Sequence, residues 1–244
     1  RIVARKTRKK GTKVIYTAHG FHFYKGAPLL NWIIYYPIEK ICAKWTDCLI
    51  TINEEDYNLV KTKFKAKKIE LINGIGVDES KFNFLITDEE KEKIREELKL
   101  KKDDFVLIQV GELNKNKNQI MTINAVKELV QENLDIKLLL VGKGNLKDYY
   151  IKKIKEYNLE DNIFLLGYRK DIPQLLKISD CLISTSKREG LPVNLIEAAM
   201  SKLPIIATNC RGNREIAKKV VEIDDVKQLC ENIKKCIDNR ELYI

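Results

Sequence analysis

Residues 181–208 read CLISTSKREGLPVNLIEAAMSKLPIIAT, and this stretch decides the fold class. It begins with a short apolar run, Cys181–Ser184, and continues through a polar loop into a helical pattern around Val193–Met200. A second apolar run, Ile205–Thr208, follows. Two apolar strands joined by a helix are typical of a parallel sheet that is buried on both faces. The stretch therefore predicts an α/β protein.

The same alternation of strand and helix recurs along the rest of the chain. Further strands are predicted at residues 13–18, 47–52, 68–72, 105–110, 136–141 and 163–166. Helices are predicted at residues 29–46, 118–131 and 172–178, and from Thr87 to Leu98. Two more are predicted with one end defined, a helix that starts at residue 54 after an N-cap at Asn53 and a helix that ends at Tyr157. The turn-rich segment 73–78 interrupts the pattern, which then restarts. We therefore expect two α/β domains, residues 1–76 and 77–244, the first of them only the C-terminal part of a domain.

The positive charge of the chain is concentrated at one end. The sequence has 45 Lys and Arg against 35 Asp and Glu, and residues 1–72 account for +9 of the net +10. A basic segment of this kind favours an anionic partner such as lipid headgroups or a lipid-linked phosphate, although a solvated face without a partner explains it equally well. Nucleic-acid binding is not expected, because no basic motif is interleaved with aromatic residues.

No stretch of the sequence predicts a membrane span, a secretion signal or a metal centre. The longest apolar candidate, residues 33–41, is far shorter than the about 20 residues that a spanning helix needs, and the first residues contain no apolar signal region. The six cysteines form no C-x-x-C pair, and only His19 and His22 could supply imidazole ligands. We therefore expect a cytoplasmic protein with reduced thiols and no zinc site.

Two loops that follow predicted strands are candidates for phosphate binding, since doubly wound sheets bind ligands at the carboxyl ends of their strands. After Val110 come Gly111, where a phosphate can approach the backbone, and Lys117, which can neutralise its charge. On its own, this pattern is weak evidence for a phosphate site, because lysines are abundant in the chain. The run Gly142-Lys143-Gly144 lacks the third glycine of a dinucleotide fingerprint, so we interpret it as a tight turn.

The loop after Cys181–Ser184 contains the most informative residues. Pro192 suits the first position of a helix, and the unpaired N–H groups of a helix start attract an anion such as a diphosphate. Glu189 precedes that helix and Glu197 lies within it, so the two carboxylates could bind hydroxyl groups of a sugar and of a ribose. On spacing alone, two ordinary surface glutamates remain the simpler explanation.

The residues of this loop also match a known pattern. The run from Glu189-Gly190 to Glu197 resembles the E-x7-E signature of retaining glycosyltransferases of family four, which have the GT-B fold. Four further segments resemble motifs of that family, namely residues 110–117 its V-G-R-L-x-x-x-K segment, 164–168 its F-L-G stretch, 73–78 its interdomain linker and 17–22 the histidine loop of its acceptor domain. In detail the chain is similar to bacterial capsular and exopolysaccharide enzymes. The resemblance implies two Rossmann-like parallel-sheet domains that face a cleft, the N-terminal one only partly present.

The resemblance further implies a role for each site residue. Glu189 would bind hydroxyl groups of the donor sugar, Glu197 those of the ribose, and Lys117 the diphosphate. The implied catalytic residues are Glu189, His19 and Lys117, and the implied donor-binding residues are Gly111, Tyr168, Gly190, Leu191, Asn194, Leu195 and Glu197. Because no Asp-x-Asp motif occurs in the sequence, we expect the donor phosphates to be held by cations and a helix start, without a metal or another cofactor.

The expected function is that of a peripheral enzyme at the inner face of the cell membrane. It would transfer a sugar from a UDP- or GDP-sugar to a lipid-linked or other glycan acceptor during surface polysaccharide synthesis. Two alternatives remain, a non-catalytic binding subunit and a sugar-nucleotide epimerase, which shares the two-domain architecture. Glu112 stands where the family usually has Arg, which favours the binding subunit, whereas the complete E-x7-E context argues against the epimerase.

Overall fold

A computed structural model gives the structure of residues 1–72, 74 and 76–239. The chain forms two compact units. The first comprises Arg1–Gly76 together with Glu189–Leu191, and the second comprises Val77–Arg188 and Pro192–Ile244. Two residues of the predicted linker, Asn73 and Ile75, lie outside the described residues.

The first unit is built on a three-stranded parallel sheet. Its strands are β1 (Ile15–Ala18), β2 (Cys48–Thr51) and β3 (Lys68–Leu71), in the order β1-β2-β3. Its helices are α1 (Arg5–Arg8), α2 (Leu29–Ala43) and α3 (Glu54–Lys63). An aromatic and aliphatic cluster fills the core, formed by Ala18, Phe21, Phe23, Ala43, Leu49, Val60 and Phe64. The Asn53 side chain accepts a hydrogen bond from the Asp56 amide at 2.8 Å, which confirms the predicted cap of α3.

The second unit is a six-stranded parallel sheet in the order β6-β5-β4-β7-β8-β9. The strands are β4 (Phe105–Val110), β5 (Ile136–Val141), β6 (Ile163–Gly167), β7 (Cys181–Ser184), β8 (Ile205–Thr208) and β9 (Val220–Val221). The helices are α4 (Glu79–Phe82), α5 (Asp88–Glu97), α6 (Gln119–Gln131), α7 (Lys147–Glu156), α8 (Ile172–Ile178), α9 (Val193–Met200), α10 (Arg211–Arg214) and α11 (Val226–Asp238). Separate apolar clusters cover the two faces of the sheet, so the strands are buried on both sides as predicted.

The strand order of the second unit reverses direction between β4 and β7. The chain proceeds from β4 through β5 to β6 on one side of the sheet, and from β7 through β8 to β9 on the other. Such a reversal leaves a crevice outside the carboxyl ends of the two central strands, because the connecting helices lie on opposite faces. The loops that leave β4 and β7 are therefore the first place to look for a ligand site.

The predicted element boundaries agree with the structure to within a few residues, and the predicted Thr87 cap forms a full capping box with Glu90. One assignment was wrong by a residue. Pro192 is the N-cap of α9, with φ −81° and ψ 97°, and the first helical residue is Val193. The reason is that a ψ of 97° is extended, so Pro192 still belongs to the loop. No helix or strand is predicted after residue 208, where the structure has α10, β9 and α11.

Within the described residues, no helix combines the length and the apolar character needed to cross a membrane. The cysteines are free thiols, all of them buried except the half-buried Cys48.

Candidate functional site

The loop that leaves β4 is fixed by a buried polar network. Gln109, the next-to-last residue of β4, donates from Nε2 to the carbonyl oxygen of Lys117 at 3.1 Å and to the Thr185 hydroxyl at 3.0 Å. Its Oε1 accepts a hydrogen bond from the Thr122 hydroxyl at 2.7 Å. The Thr185 hydroxyl in turn lies 2.9 Å from the carbonyl oxygen of Asn118. The three network side chains are nearly inaccessible to solvent, so the network holds the backbone at Lys117 and Asn118 in one position.

The loops after β4 and β7 are also joined to each other. The Lys187 amide donates to the carbonyl oxygen of Asn116 at 2.8 Å, and Asn116 Nδ2 donates to the carbonyl oxygen of Arg188 at 2.9 Å. Within the first loop, the Lys117 amide donates to Asn114 Oδ1 at 2.9 Å. The two loops thus form one hydrogen-bonded rim along the carboxyl edge of the sheet.

Gly111 and Lys117 lie together on this rim. A Cβ atom added to Gly111 would stand 3.3 Å from both Cδ and Cε of Lys117, closer than most packed side chains approach. Because Gly111 has no side chain, the methylene groups of Lys117 can pack directly against the Gly111 backbone. Next to Gly111, Glu112 has an exposed side chain, while its carbonyl oxygen accepts a hydrogen bond from Gln119 Nε2 at 2.9 Å.

The start of α9 is attached to the end of β4. Asn194 Nδ2 donates to the carbonyl oxygen of Val110 at 3.0 Å, so the first turn of the helix is anchored beside Gly111. The Leu195 amide donates to the carbonyl oxygen of Pro192 at 3.0 Å, and the Leu195 side chain is buried. The amides of Val193 and Asn194 come before the first hydrogen bond of the helix. They are therefore the groups that a helix start offers to an anion.

Glu197 occupies the second turn of α9 and is half-buried. Burial raises the pKa of its carboxyl group above the usual range for glutamate. Keeping this side chain ionised therefore costs free energy in the folded protein, a cost that a hydrogen-bonding ligand would offset. A fully exposed glutamate would show no such perturbation, so Glu197 differs from the ordinary surface glutamate that spacing alone allowed.

Tyr168 follows β6 at the same carboxyl edge of the sheet. Its ring is 66% exposed, and Lys143 Nζ lies 5.8 Å from the ring centroid. An exposed aromatic ring of this kind can stack on a planar ligand group.

The turn Gly142-Lys143-Gly144 has a structural role. A Cβ atom on Gly142 would collide with the carbonyl oxygen of Gly111, and one on Gly144 would collide with the backbone of Leu113. Leu113 cannot easily move away, because its amide donates to Lys143 and its carbonyl oxygen accepts from Leu146. The two glycines thus permit the loop after β5 to pack tightly on the loop after β4, as expected of a tight turn.

Replacement of Gly144 by Ala should therefore destabilise the second unit. Since the added methyl group meets clamped backbone, we expect a loss of about 3 kcal/mol in the free energy of unfolding, typical of severe overpacking. For a chain of this size that corresponds to a fall of roughly 6–12 °C in melting temperature. Thermal unfolding followed by circular dichroism measures it. Gly76→Ala is the matched control, because no atom lies within 4 Å of its added Cβ. Equal melting temperatures for the two variants would contradict the packing argument.

The remaining predicted site residues belong to the first unit. His19 follows β1 and is exposed, and Glu189, Gly190 and Leu191 are grouped with it in that unit. A Cβ atom on Gly190 would collide with the carbonyl oxygen of His19, so only glycine fits there. The structure thus brings His19 and Gly190 together, and separately brings Gly111, Lys117 and Asn194 together.

Sequence reasoning missed Gln109, Asn116 and Thr185, which shape the rim. Gln109 could have been recognised from the sequence, because it is the one polar residue in the strand FVLIQV. A buried amide side chain needs hydrogen-bond partners, so its position indicates a polar network. Among the described residues, no cluster of three or more His, Cys, Asp or Glu side chains could hold a metal ion.

Comparison with known proteins finds one matching family model and curated relatives that cover almost the whole chain. Residues 90–243 match the family model described as glycosyl transferases group 1. EpsD of Bacillus subtilis strain 168, which is named as a candidate glycosyltransferase, is 38% identical over 248 residues, covering 99% of this chain and 65% of that protein. The UDP-Gal:alpha-D-GlcNAc-diphosphoundecaprenol alpha-1,3-galactosyltransferase of Escherichia coli is 33% identical over 242 residues, covering 95% of this chain and 62% of that enzyme.

A solved structure supports the fold assignment. The crystal structure of Anabaena Alr3699/HepE in complex with UDP matches with a TM-score of 0.83 at 19% identity, over 99% of this chain and 67% of that one. The predicted GT-B fold class is therefore confirmed. The chain spans slightly less than two thirds of the length of the two curated relatives.

Proposed function

The chain belongs to the group 1 glycosyl transferases, and from that premise we propose that it transfers a sugar from a nucleoside diphosphate sugar to a glycan acceptor. The proposal rests on the rim that the loops after β4 and β7 form, at the point where the strand order reverses. There the Lys117 side chain lies beside Gly111, and the Lys117 backbone is held through its carbonyl group. The start of α9 is attached through Asn194 to the neighbouring Val110. A lysine on a fixed backbone next to a helix start suits a diphosphate, which carries the negative charge of the donor.

The donor contacts are assigned residue by residue. Lys117 and the amides of Val193 and Asn194 hold the diphosphate, and Glu197 accepts hydrogen bonds from the ribose hydroxyl groups. Leu195 supports the helix through its buried side chain, because its amide is already used by Pro192. Tyr168 contributes an exposed ring for the base.

The sugar contacts are assigned to the residues grouped with the first unit. Glu189 and His19 bind hydroxyl groups of the donor sugar. The loop that carries Glu189 is held in place because Gly190 and Leu191 are closely packed. The bond between the anomeric carbon and the diphosphate breaks while the acceptor oxygen bonds to the same face of that carbon. The acceptor proton passes to an oxygen of the departing diphosphate. Lys117 and the helix start stabilise the charge that develops there.

The acceptor is proposed to be a lipid-linked glycan of a bacterial surface polysaccharide. The name of the E. coli relative specifies a UDP-galactose donor and a diphosphoundecaprenol-linked acceptor, and we extend those two chemical classes to this chain. A lipid-linked acceptor requires the enzyme to work at a membrane surface. The net charge of +9 in residues 1–72 would attract it to the anionic inner face of the cell membrane.

Two other functions predict different behaviour. A non-catalytic subunit would bind nucleotide but transfer nothing, and Glu112, an exposed acid beside the rim, is the feature that favours it. An epimerase would act on the donor without an acceptor. Incubation with labelled UDP-sugars, with and without lipid-linked glycans, separates the three, because only a transferase yields an extended glycan that depends on both substrates.

Nucleotide binding without a divalent metal is the test of the donor site. We expect UDP or GDP to bind, as measured by calorimetry, and EDTA to leave the affinity unchanged, because Lys117 and a helix start supply the positive charge. Complete loss of binding in EDTA would contradict the metal-free site. Absence of binding to either nucleotide in both conditions would contradict the donor site itself.

A further inference from the structure

A cavity of about 330 Å³ opens at the amino edge of the second sheet. Its walls come from α5 and the connection before it, from the end of α8, and from the turns that lead into β7 and β8. Asp180 and Pro204, which line it, immediately precede those two strands. The rim described above lies at the opposite edge, and the four residues of β7 span roughly 13 Å between the two. This amino-edge cavity is therefore separate from the donor site.

Three lysine side chains line the amino-edge cavity, namely Lys91, Lys177 and Lys202. Lys177 is half-buried, and its ammonium group donates to the carbonyl oxygen of Ser201 at 3.4 Å. The same ammonium group lies 5.4 Å from the centroid of the Phe84 ring. Burial, together with the charges of Lys202 and Lys91, lowers the pKa of Lys177. The three ammonium groups therefore repel one another at the cavity.

The carboxylates near the cavity do not neutralise these lysines. Asp180 is the one acid among the described residues that line it, and its carboxylate accepts the Val106 amide at 2.7 Å and lies 4.0 Å from Arg95. Lys91 also borders a neighbouring cavity, which is lined by Asp88, Glu92 and Glu96. Within the part of the chain that the structure describes, however, none of the three lysines forms an ion pair. The amino-edge cavity thus offers positive charge without a matching anion.

The rest of the lining is largely apolar. Phe84, Leu176 and Leu203 contribute to it, and so does Leu85, which is fully exposed to solvent. Ligand pockets in proteins typically measure about 300–1,000 Å³ and combine apolar walls with a few charged groups. The amino-edge cavity lies at the small end of that range. Its composition suits a small molecule that has an anionic group and an apolar part.

We propose that the amino-edge cavity binds a small phosphate monoester whose organic part is apolar or aromatic. Lysine binds phosphate as a point charge, whereas the planar fork of arginine suits a carboxylate. The nearby Arg95 is already occupied, because it donates to the carbonyl oxygens of Ile178, Lys101 and Asp104. The phosphate accepts hydrogen bonds from the lysines, and the organic part packs on Phe84 and Leu176. The site does not depend on the proposed sugar transfer.

Titration with phenyl phosphate in excess UDP tests this site, because UDP fills the proposed donor site. We expect calorimetry to show one phenyl phosphate bound per chain, with an affinity that falls as salt is added. Phenol, which lacks the charge, should bind much more weakly. Absence of phenyl phosphate binding, or equal binding of phenol, would overturn the proposal.

Two further titrations separate the cavity from other sources of binding. Without UDP, Lys117→Met should bind phenyl phosphate at the cavity as tightly as the unmodified chain does in excess UDP. Loss of that binding would place the ligand at the donor rim and overturn the proposal. Retention on phosphatidic acid vesicles without binding of phenyl phosphate would overturn it in favour of a lipid headgroup.

Lys202→Gly removes one ammonium group without harming the fold. Lys202 has φ 57°, in the left-handed region that glycine adopts readily. We therefore expect an unchanged or higher melting temperature and about tenfold weaker binding of phenyl phosphate. Lys99→Gly is the matched control, because Lys99 has φ 58° just after α5 and does not line the cavity. Equal affinities of the two variants would contradict the proposed role of Lys202.

Lys177→Met removes the ammonium group that the other two lysines repel. Methionine retains an apolar chain of similar length, and the repulsion disappears, so the ligand-free variant should be at least as stable as the unmodified protein. We expect its affinity for phenyl phosphate to fall by about tenfold or more. Unchanged affinity would mean that the apolar wall holds the ligand, and the assignment to phosphate would be wrong.

Discussion

Glu189→Gln is expected to lower the turnover of sugar transfer by about tenfold to a hundredfold while leaving the affinity for free nucleotide nearly unchanged. Glu189 is assigned to the hydroxyl groups of the sugar, which free UDP or GDP does not contain. A charge-assisted hydrogen bond contributes roughly 1.5–3 kcal/mol, and glutamine retains the shape but not the charge. If the contact tightens as the diphosphate departs, the loss falls on kcat and not on binding.

Glu197→Gln should have the opposite signature. Since Glu197 is assigned to the ribose, the substitution should weaken the binding of donor and of free nucleotide together, by a similar factor. Burial raises the pKa of Glu197, so ionisation of this group destabilises the folded protein as pH rises through that pKa. Glutamine cannot ionise, and we expect the ligand-free variant to unfold at an unchanged or higher temperature at neutral pH.

Calorimetry, steady-state kinetics and thermal unfolding of the same two variants decide between the assignments. Wild-type transfer by Glu189→Gln would contradict its role at the sugar. A lower melting temperature for ligand-free Glu197→Gln would show that the carboxylate stabilises the fold. It would contradict the argument that ionised Glu197 destabilises the folded protein until a ligand binds. If the unmodified protein binds nucleotide but transfers no sugar, Glu112→Arg is the first reversion to make.

The fold could be predicted because its signals are local. Buried parallel strands are short apolar runs, as in Phe105–Val110, and the caps at Asn53 and Thr87 act within three residues of themselves. The two residues of β9 depend on pairing with β8 and carry no sequence pattern of their own. Helix α11 does have a pattern, because Leu229, Ile233 and Cys236 are spaced for one buried face, although no helix is predicted for it above.

The candidate site residues could be chosen from the sequence, but their arrangement could not. The motif around Glu189 and Glu197 is contiguous, whereas the groups that position Lys117 come from Gln109 and Thr185, which are 76 residues apart. No local pattern connects them. The sequence also does not show that Pro192 is the N-cap and not the first helical residue, because the loop before it sets its ψ angle.

Lys117→Met is expected to lower kcat/KM for transfer by about a hundredfold to a thousandfold, the usual cost of removing a group that stabilises developing negative charge. Methionine preserves most of the apolar stem, so the packing against Gly111 should survive. Lys115→Met is the matched control, because this exposed lysine lies two residues away on the same loop and has no assigned role. It should retain nearly unmodified kinetics, and equal losses in the two variants would contradict a specific role for Lys117.

Gln109 is expected to act through Lys117, and a double-mutant cycle can show it. Gln109→Met removes a donor to the Lys117 carbonyl oxygen, which keeps only its 3.2 Å contact with the Thr185 hydroxyl among the side chains of the network. It also leaves the buried Thr122 and Thr185 hydroxyls with one partner fewer. We therefore expect a lower melting temperature together with a tenfold or larger loss in kcat/KM. Thr122→Val is the matched control, because the Thr122 hydroxyl contacts Gln109 Oε1 and the Thr185 hydroxyl but donates nothing to the Lys117 carbonyl oxygen. It should destabilise the protein with less effect on transfer. Once Lys117 is methionine there is no ammonium group left to misplace, so adding Gln109→Met should cost little further activity. Losses that simply add would mean that Gln109 supports the fold without positioning Lys117.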